Sequence, residues 1–93
     1  MDVLIWAKRE RVEHKLKTNV PANTDYCYWT GIHPRNPALT IFSKVMFTDG
    51  SIVYAEGRIK EVNEDEGLCF EPLTEVNYPQ PKKAPIRGFT YVE

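Results

Sequence analysis

The side chains best suited to binding chemistry form a short aromatic run, Tyr26, Tyr28 and Trp29, in the first third of the chain. Exposed aromatic rings beside basic residues bind single-stranded or flipped bases by stacking. Side chains alternate along a strand, so Tyr26 and Tyr28 share one face and Trp29 lies on the other. Core packing is therefore the alternative role for each ring. Trp29 directly precedes a loop rich in Pro and Gly, and we expect it to form the wall of a pocket.

Basic and polar residues near this run complete a predicted ligand site. Lys17 and Thr18 end a charged segment before the aromatic run, and Arg35 lies in the stiff loop after it. Together with Tyr28 and Trp29, Lys17 and Arg35 are predicted to contact a base edge or a phosphate group.

A second basic group is split between the two ends of the chain. It is predicted to contact a nucleic-acid backbone and comprises Lys15, Lys82, Lys83 and Arg87. An ordinary solvated surface is the alternative, because Glu10 and Glu13 interrupt the basic segment at the N-terminal end.

The sequence favours binding over catalysis. It contains no Gly-rich phosphate loop, no nucleophile elbow and no His-Glu helix motif. Cys27 and Cys69 form no CxxC pair, and His14 and His33 are distant from both, so no metal or other cofactor is predicted. Both cysteines lie in apolar stretches and are expected to be reduced and buried, with a disulfide between neighbouring strands as the alternative.

Length, composition and charge predict one small domain covering residues 1–93. The chain is 42% hydrophobic and 12% aromatic, which suffices for a packed core. The formal net charge of −1 gives no global attraction to nucleic acid or to a membrane, so any such binding needs a local patch. The N-terminus resembles neither a signal peptide nor a membrane span, and we expect a cytoplasmic protein with no membrane association.

The hydrophobic pattern predicts an α+β fold that is mostly β. We expect a strand at residues 3–6, one helix at 7–17, a strand at 25–30, a meander at 42–76 and a returning strand at 86–92. Asp49-Gly50 suits a two-residue hairpin turn, which would place Phe47 opposite Ile52. Both faces of the meander are mostly apolar, so the sheet is expected to coil into a small barrel.

This order of elements resembles the PUA-like superfamily, and within it the small ASCH-type domains. The resemblance is carried by the strand Val3-Leu4-Ile5-Trp6, a helix ending at Lys17-Thr18, and the strand at residues 52–62. ASCH-type domains usually place Gly-x-Lys-x-x-Glu-x-Arg after the first helix, and here Lys17-Thr18 matches only the lysine region. The resemblance implies a β-barrel with a pocket that handles RNA or a modified base, and it assigns Lys17, Thr18, Tyr28 and Trp29 to that pocket.

Three functions follow, in decreasing order of preference. The first is a small RNA- or nucleotide-binding module with a base-sized aromatic pocket. The second is a protein-interaction or regulatory domain that uses an exposed strand edge or the Pro-rich tail at residues 78–81. The third is a nucleoside amidohydrolase, an activity attributed to some ASCH-type domains.

Overall fold

The computed structural model describes residues 1–30, 32, 39, 43–63 and 67–93. Within these residues the chain is mostly β. Its strands are β1 (Asp2–Trp6), β2 (Cys27–Trp29), β3 (Lys44–Thr48), β4 (Ile52–Asn63), β5 (Gly67–Phe70), β6 (Thr74–Pro79) and β7 (Phe89–Val92). The strand order is β2-β5-β4-β3-β1-β7, with β6 also paired to β4. The sheet is mixed, because β1 and β3 run parallel while the other pairs are antiparallel.

The central strands are buried on both faces, as the apolar meander predicted. One face of the sheet packs into a first cluster and the opposite face into a second. The buried members of the first are Val3, Ile5, Ala7, Val12, Leu16, Trp29, Val45, Phe47, Tyr54, Ala55, Ile59, Leu68, Phe70 and Leu73. The buried members of the second are Leu4, Met46, Val53 and Ala84. A strand buried on both faces must be apolar at successive positions, and the runs in β1 and β3 satisfy this condition.

The hairpin between β3 and β4 lies where Asp49-Gly50 predicted it, but its register differs. Gly50 has a φ of +99°, a conformation that glycine adopts without steric cost. Asp49 Oδ1 accepts hydrogen bonds from the amides of Ser51 and Ile52, at 3.0 and 3.2 Å.

These bonds from the Asp49 carboxylate widen the turn. The paired residues that enclose it are Thr48 and Val53, so the loop holds four residues instead of two. A register shift between Phe47 and Thr48 then places Phe47 opposite Ala55. The predicted pairing of Phe47 with Ile52 is therefore wrong, because a side chain and a bulge close this turn.

The segment after β1 also departs from the prediction. Residues 7–17 do not form one α-helix but two 3-10 turns, Arg9–Arg11 and Glu13–Lys15. Leu16 is extended (ψ 144°) and forms a parallel bridge with Leu73, with the Lys17 amide donating to the Leu73 carbonyl at 2.7 Å. This backbone pairing ends the helical conformation. The buried face was predicted correctly, since Val12 and Leu16 both enter the first cluster.

The C-terminal tail wraps across the second cluster before the last strand. Ala84 is buried there, and Lys82 Nζ donates to the carbonyl of Tyr91 at 3.1 Å. β7 then pairs antiparallel with the outer edge of β1. Among the described strands, β2 and β7 do not pair with each other, so the sheet stays open where a closed barrel was predicted.

No helix in the described part of the chain has the length and apolar character needed to cross a membrane.

Candidate nucleic-acid interface

A basic and aromatic groove lies between the 3-10 turns and β2. Its volume is about 270 Å³. We call it the β2 groove, and its lining residues are Arg11, His14, Lys15, Tyr28, Trp29 and Thr30. None of these six carries a carboxylate, in a chain whose acidic residues outnumber its basic ones by 13 to 12. The groove is therefore a local positive patch, which the overall charge does not predict.

Local geometry explains why these residues converge. Arg11 ends the first 3-10 turn and His14 lies in the second, and the fold brings both side chains to the same groove. β2 pairs with β5 so that Tyr28 lies opposite Cys69 and Trp29 opposite Leu68. Alternation along this short strand buries Trp29, whereas Tyr28 is only half-buried.

Trp29 contributes to the groove mainly as its floor. Its side chain is only 8% exposed, and its ring packs edge-on against Phe47 with centroids 5.1 Å apart. The guanidinium carbon of Arg11 lies 5.1 Å from the centroid of the Trp29 ring. This cation–π contact covers part of the ring. A ligand entering the groove would thus meet Arg11 before it met the indole predicted to be the wall.

The aromatic surface continues beyond the groove. Tyr26 is 46% exposed and contacts Tyr28 in a T-shaped arrangement, with centroids 5.1 Å apart. Lys60 Nζ, from β4, lies 5.7 Å from the centroid of the Tyr26 ring. The groove and this extension together form a surface of cationic and aromatic groups that includes Arg11, Tyr28, Tyr26 and Lys60.

Sequence reasoning missed two members of this surface, His14 and Lys60. His14 could have been found from its helical spacing to Arg11 and Lys15, since residues three apart lie on one side of a helical segment. Lys60 is brought in by the pairing of β4 with β5 and of β5 with β2. No local pattern in the sequence indicates that contact.

The structure separates the predicted ligand residues. Lys15 lies in the β2 groove with Tyr28 and Trp29, while Lys17 lines a different depression of about 330 Å³. We call it the mixed-charge depression, and its charged lining residues are Asp2, Lys17, Lys44, Glu56, Arg58 and Glu71. Thr18 is exposed next to Lys17, and Arg35 lies outside the described residues.

The C-terminal residues that were predicted to contact a nucleic-acid backbone lie near the other terminal strand of the sheet. Lys82, Lys83 and Arg87 are exposed and precede β7, whereas the β2 groove adjoins the opposite terminal strand. Lys82 already donates to the carbonyl of Tyr91. The strand order thus assigns Lys15 and these three residues to different regions.

The two cysteines lie diagonally across β2 and β5, and both are free thiols. Cys69 is buried as predicted, whereas Cys27 is only half-buried. Burial raises the pKa of the Cys27 thiol, and the nearby positive charge of Lys15 partly opposes that increase. Within the described ranges, His, Cys, Asp and Glu side chains form no group of three that could hold a metal ion.

No family model, no curated protein and no solved structure matches this chain. The function must therefore be argued from the chemistry of its own surface.

Proposed function

We propose that this protein is a small module that binds single-stranded RNA through the β2 groove. The observation that carries the proposal is the composition of the groove, which combines Arg11, His14 and Lys15 with two aromatic side chains and no carboxylate. Single-stranded nucleic acids are bound by this combination, since cations contact phosphates and rings stack on bases.

Arg11 and Lys15 supply the contacts to phosphate. The chain carries a net charge of −1, so attraction to RNA arises from this local patch. Binding through such contacts releases counterions and weakens steeply as salt concentration rises.

Tyr28 and Arg11 offer the surfaces for the first base. Guanidinium planes and aromatic rings both stack on bases, and Arg11 is held in place by its contact with the Trp29 ring. Trp29 acts through Arg11 on this proposal and does not itself contact the base.

Tyr26 and Lys60 extend the interface to a second nucleotide. The Tyr26 ring is exposed beside Tyr28 and is accompanied by Lys60. A strand of two or three nucleotides therefore makes contacts that a mononucleotide lacks, and a rigid duplex cannot splay its bases onto these rings.

RNA is proposed in preference to DNA only on the sequence resemblance to ASCH-type PUA-like domains, whose helix and closed barrel the described residues do not form. The alternative of a free Pro-rich docking peptide loses support, because Tyr78 and Pro79 pair with β4 and Gln80 Nε2 donates to the carbonyl of Gly50.

Fluorescence anisotropy with labelled oligonucleotides tests the proposal. We expect single-stranded RNA of about eight nucleotides to bind more tightly than the matching duplex. We expect its affinity to fall by roughly 7- to 20-fold between about 50 and 200 mM salt, as two or three phosphate contacts on a single strand predict. No binding at low salt, or affinity that is independent of salt, would refute the proposal.

Variants locate the interface. Tyr28→Ala should weaken binding by roughly 5- to 150-fold, the equivalent of about 1–3 kcal/mol per stacked base. Arg11→Ala should weaken binding and flatten the salt dependence. Lys83→Ala is the matched control, being an equally exposed cation near β7. If only Lys83→Ala reduces affinity, the interface lies near β7 and the β2 groove is excluded.

A further inference from the structure

We infer a second binding site, independent of RNA, that takes a small aliphatic ammonium ion. It is a cavity of about 110 Å³ between the 3-10 turns and β6. We call it the β6 cavity, and its lining residues are Arg9, Val12, Glu13, Leu16, Ile52, Tyr54, Ala55, Glu75, Val76 and Asn77.

The floor of the β6 cavity is apolar. Val12, Leu16 and Ala55 are buried members of the first cluster. Tyr54 is buried as well, and its hydroxyl donates to the carbonyl of Ala7 at 2.6 Å. Its polar atom is therefore satisfied within the protein, and the ring presents hydrocarbon. An apolar cavity of about 150 Å³ accommodates benzene, so the slightly smaller volume of this site suits a branched chain of about five carbons.

The rim of the cavity is negatively charged. Glu13 and Glu75 are exposed, and neither forms an ion pair with any residue in the described part of the chain. Arg9, the rim cation, is already engaged. Its Nε lies 3.7 Å from Asp49 Oδ2, and its guanidinium carbon lies 5.1 Å from the centroid of the Tyr54 ring. Two unpaired carboxylates above an apolar floor complement an amphipathic cation.

The edge of β6 borders the cavity. Among the described strands, β6 pairs only with β4, and a register shift places Val76 and Asn77 opposite Tyr54 alone. A bulge of this kind leaves backbone groups without ladder partners. An ammonium group donates three hydrogen bonds, and it could use a backbone carbonyl as well as the two carboxylates.

Three probes with the same branched carbon skeleton test the site: isoamylamine, isoamyl alcohol and isovalerate. Binding is followed in the full chain by amide NMR shifts of Tyr54, Val76 and Asn77. We expect the ammonium ion to bind with a Kd on the order of 1 mM, as suits so small a ligand. The alcohol should bind at least about fivefold more weakly, and the anion should not bind. Equal binding of amine and alcohol, or no shift with the amine, would overturn the inference.

Variants that remove a carboxylate charge test whether Glu13 and Glu75 bind the ammonium group. Glu13→Gln and Glu75→Gln should each weaken isoamylamine binding by about two- to fivefold. Glu10→Gln is the matched control, because Glu10 is exposed in the preceding 3-10 turn but does not line the cavity. A Glu10→Gln effect equal to the other two would indicate diffuse attraction and contradict the site.

Discussion

The β2 groove and the β6 cavity lie on opposite sides of the same short segment, residues 9–16, yet they differ in charge. Arg11, His14 and Lys15 line the groove. Arg9, Val12, Glu13 and Leu16 line the cavity. One segment thus supplies a cationic surface to β2 and a mixed, partly apolar surface to β6.

This difference shows how backbone conformation sorts charges that are interleaved in sequence. In the sequence, Glu13 interrupts the basic residues and favours an ordinary solvated face. In the 3-10 conformation, Glu13 turns toward β6 and leaves the groove free of carboxylates. The residues of each site have the i, i+3, i+4 spacing that a helical segment places on one side, so the charge pattern has to be judged by helical spacing and not by order along the sequence.

The largest effect is expected from removing the Trp29 side chain, which lies beneath the β2 groove. Trp29→Ala deletes a buried ring that packs on Phe47. It should lower the free energy of unfolding by about 3–5 kcal/mol, measured by urea denaturation. Tyr28→Ala on the same strand should lower it by far less while reducing RNA affinity. This outcome would show that Trp29 mainly stabilises the fold. The sequence instead predicts that Trp29 forms the wall of a ligand pocket.

Stability data would contradict this division of roles if the two variants behaved alike. Equal destabilisation would make Tyr28 a core residue, and an unchanged Trp29→Ala protein would return the indole to the ligand.

A smaller change, Gly67→Ala, should damage one site and spare the other. Gly67 has a φ of +86°, and a Cβ there would lie 2.3 Å from the carbonyl oxygen of Trp29. The strain should cost about 1–3 kcal/mol of stability, and β2 must shift to relieve the contact. RNA affinity should therefore fall while isoamylamine binding persists.

Gly88→Ala is the control for the Gly67 substitution. It lies before β7, and its Cβ would meet only side-chain and backbone atoms of Pro85 at 3.2 Å or more. Loss of amine binding in Gly67→Ala but not in Gly88→Ala would show that the two sites are coupled through β2 and not independent.

The smallest expected effect concerns the thiol next to the groove. Burial raises the pKa of Cys27 and the charge of Lys15 opposes the rise. Lys15→Gln removes that charge, so the pKa should rise further and less thiolate should be present at a given pH. Alkylation of Cys27 by iodoacetamide, followed by peptide mass spectrometry, should slow by about twofold. The rate should recover at higher pH.

Lys17→Gln should leave the alkylation rate of Cys27 unchanged, because Lys17 lines the mixed-charge depression instead. Faster labelling in Lys15→Gln would mean that Lys15 shields the thiol sterically.

The strands could be predicted because their apolar pattern is local. β1 and β4 follow from alternation and apolar runs, and the buried face of the turn segment follows from Val12 and Leu16. Two apolar faces on the meander correctly predicted two clusters.

The register and the site could not be predicted because each depends on one distant or side-chain contact. The Asp49 carboxylate widens the hairpin, and the backbone bridge between Leu16 and Leu73 keeps Leu16 extended instead of helical. Lys60 reaches Tyr26 only through two strand pairings. The two long-range contacts have no signature in the residues on either side of them, whereas the Asp49 bonds are local but Asp-Gly suits the two-residue turn as well.

The length of β4 has a consequence for how the molecule can open. Its first half pairs with β3 and β6, and its second half pairs with β5, which in turn holds β2. Local opening can therefore release β5 and β2 together as one cooperative unit, while β1 and β3 stay closed. The packing of Phe70 and Trp29 on Phe47 opposes that release. A strand of RNA that contacts both Arg11 and Tyr28 would connect the segment after β1 to the unit formed by β2 and β5. Amide exchange should then slow on both sides of that connection.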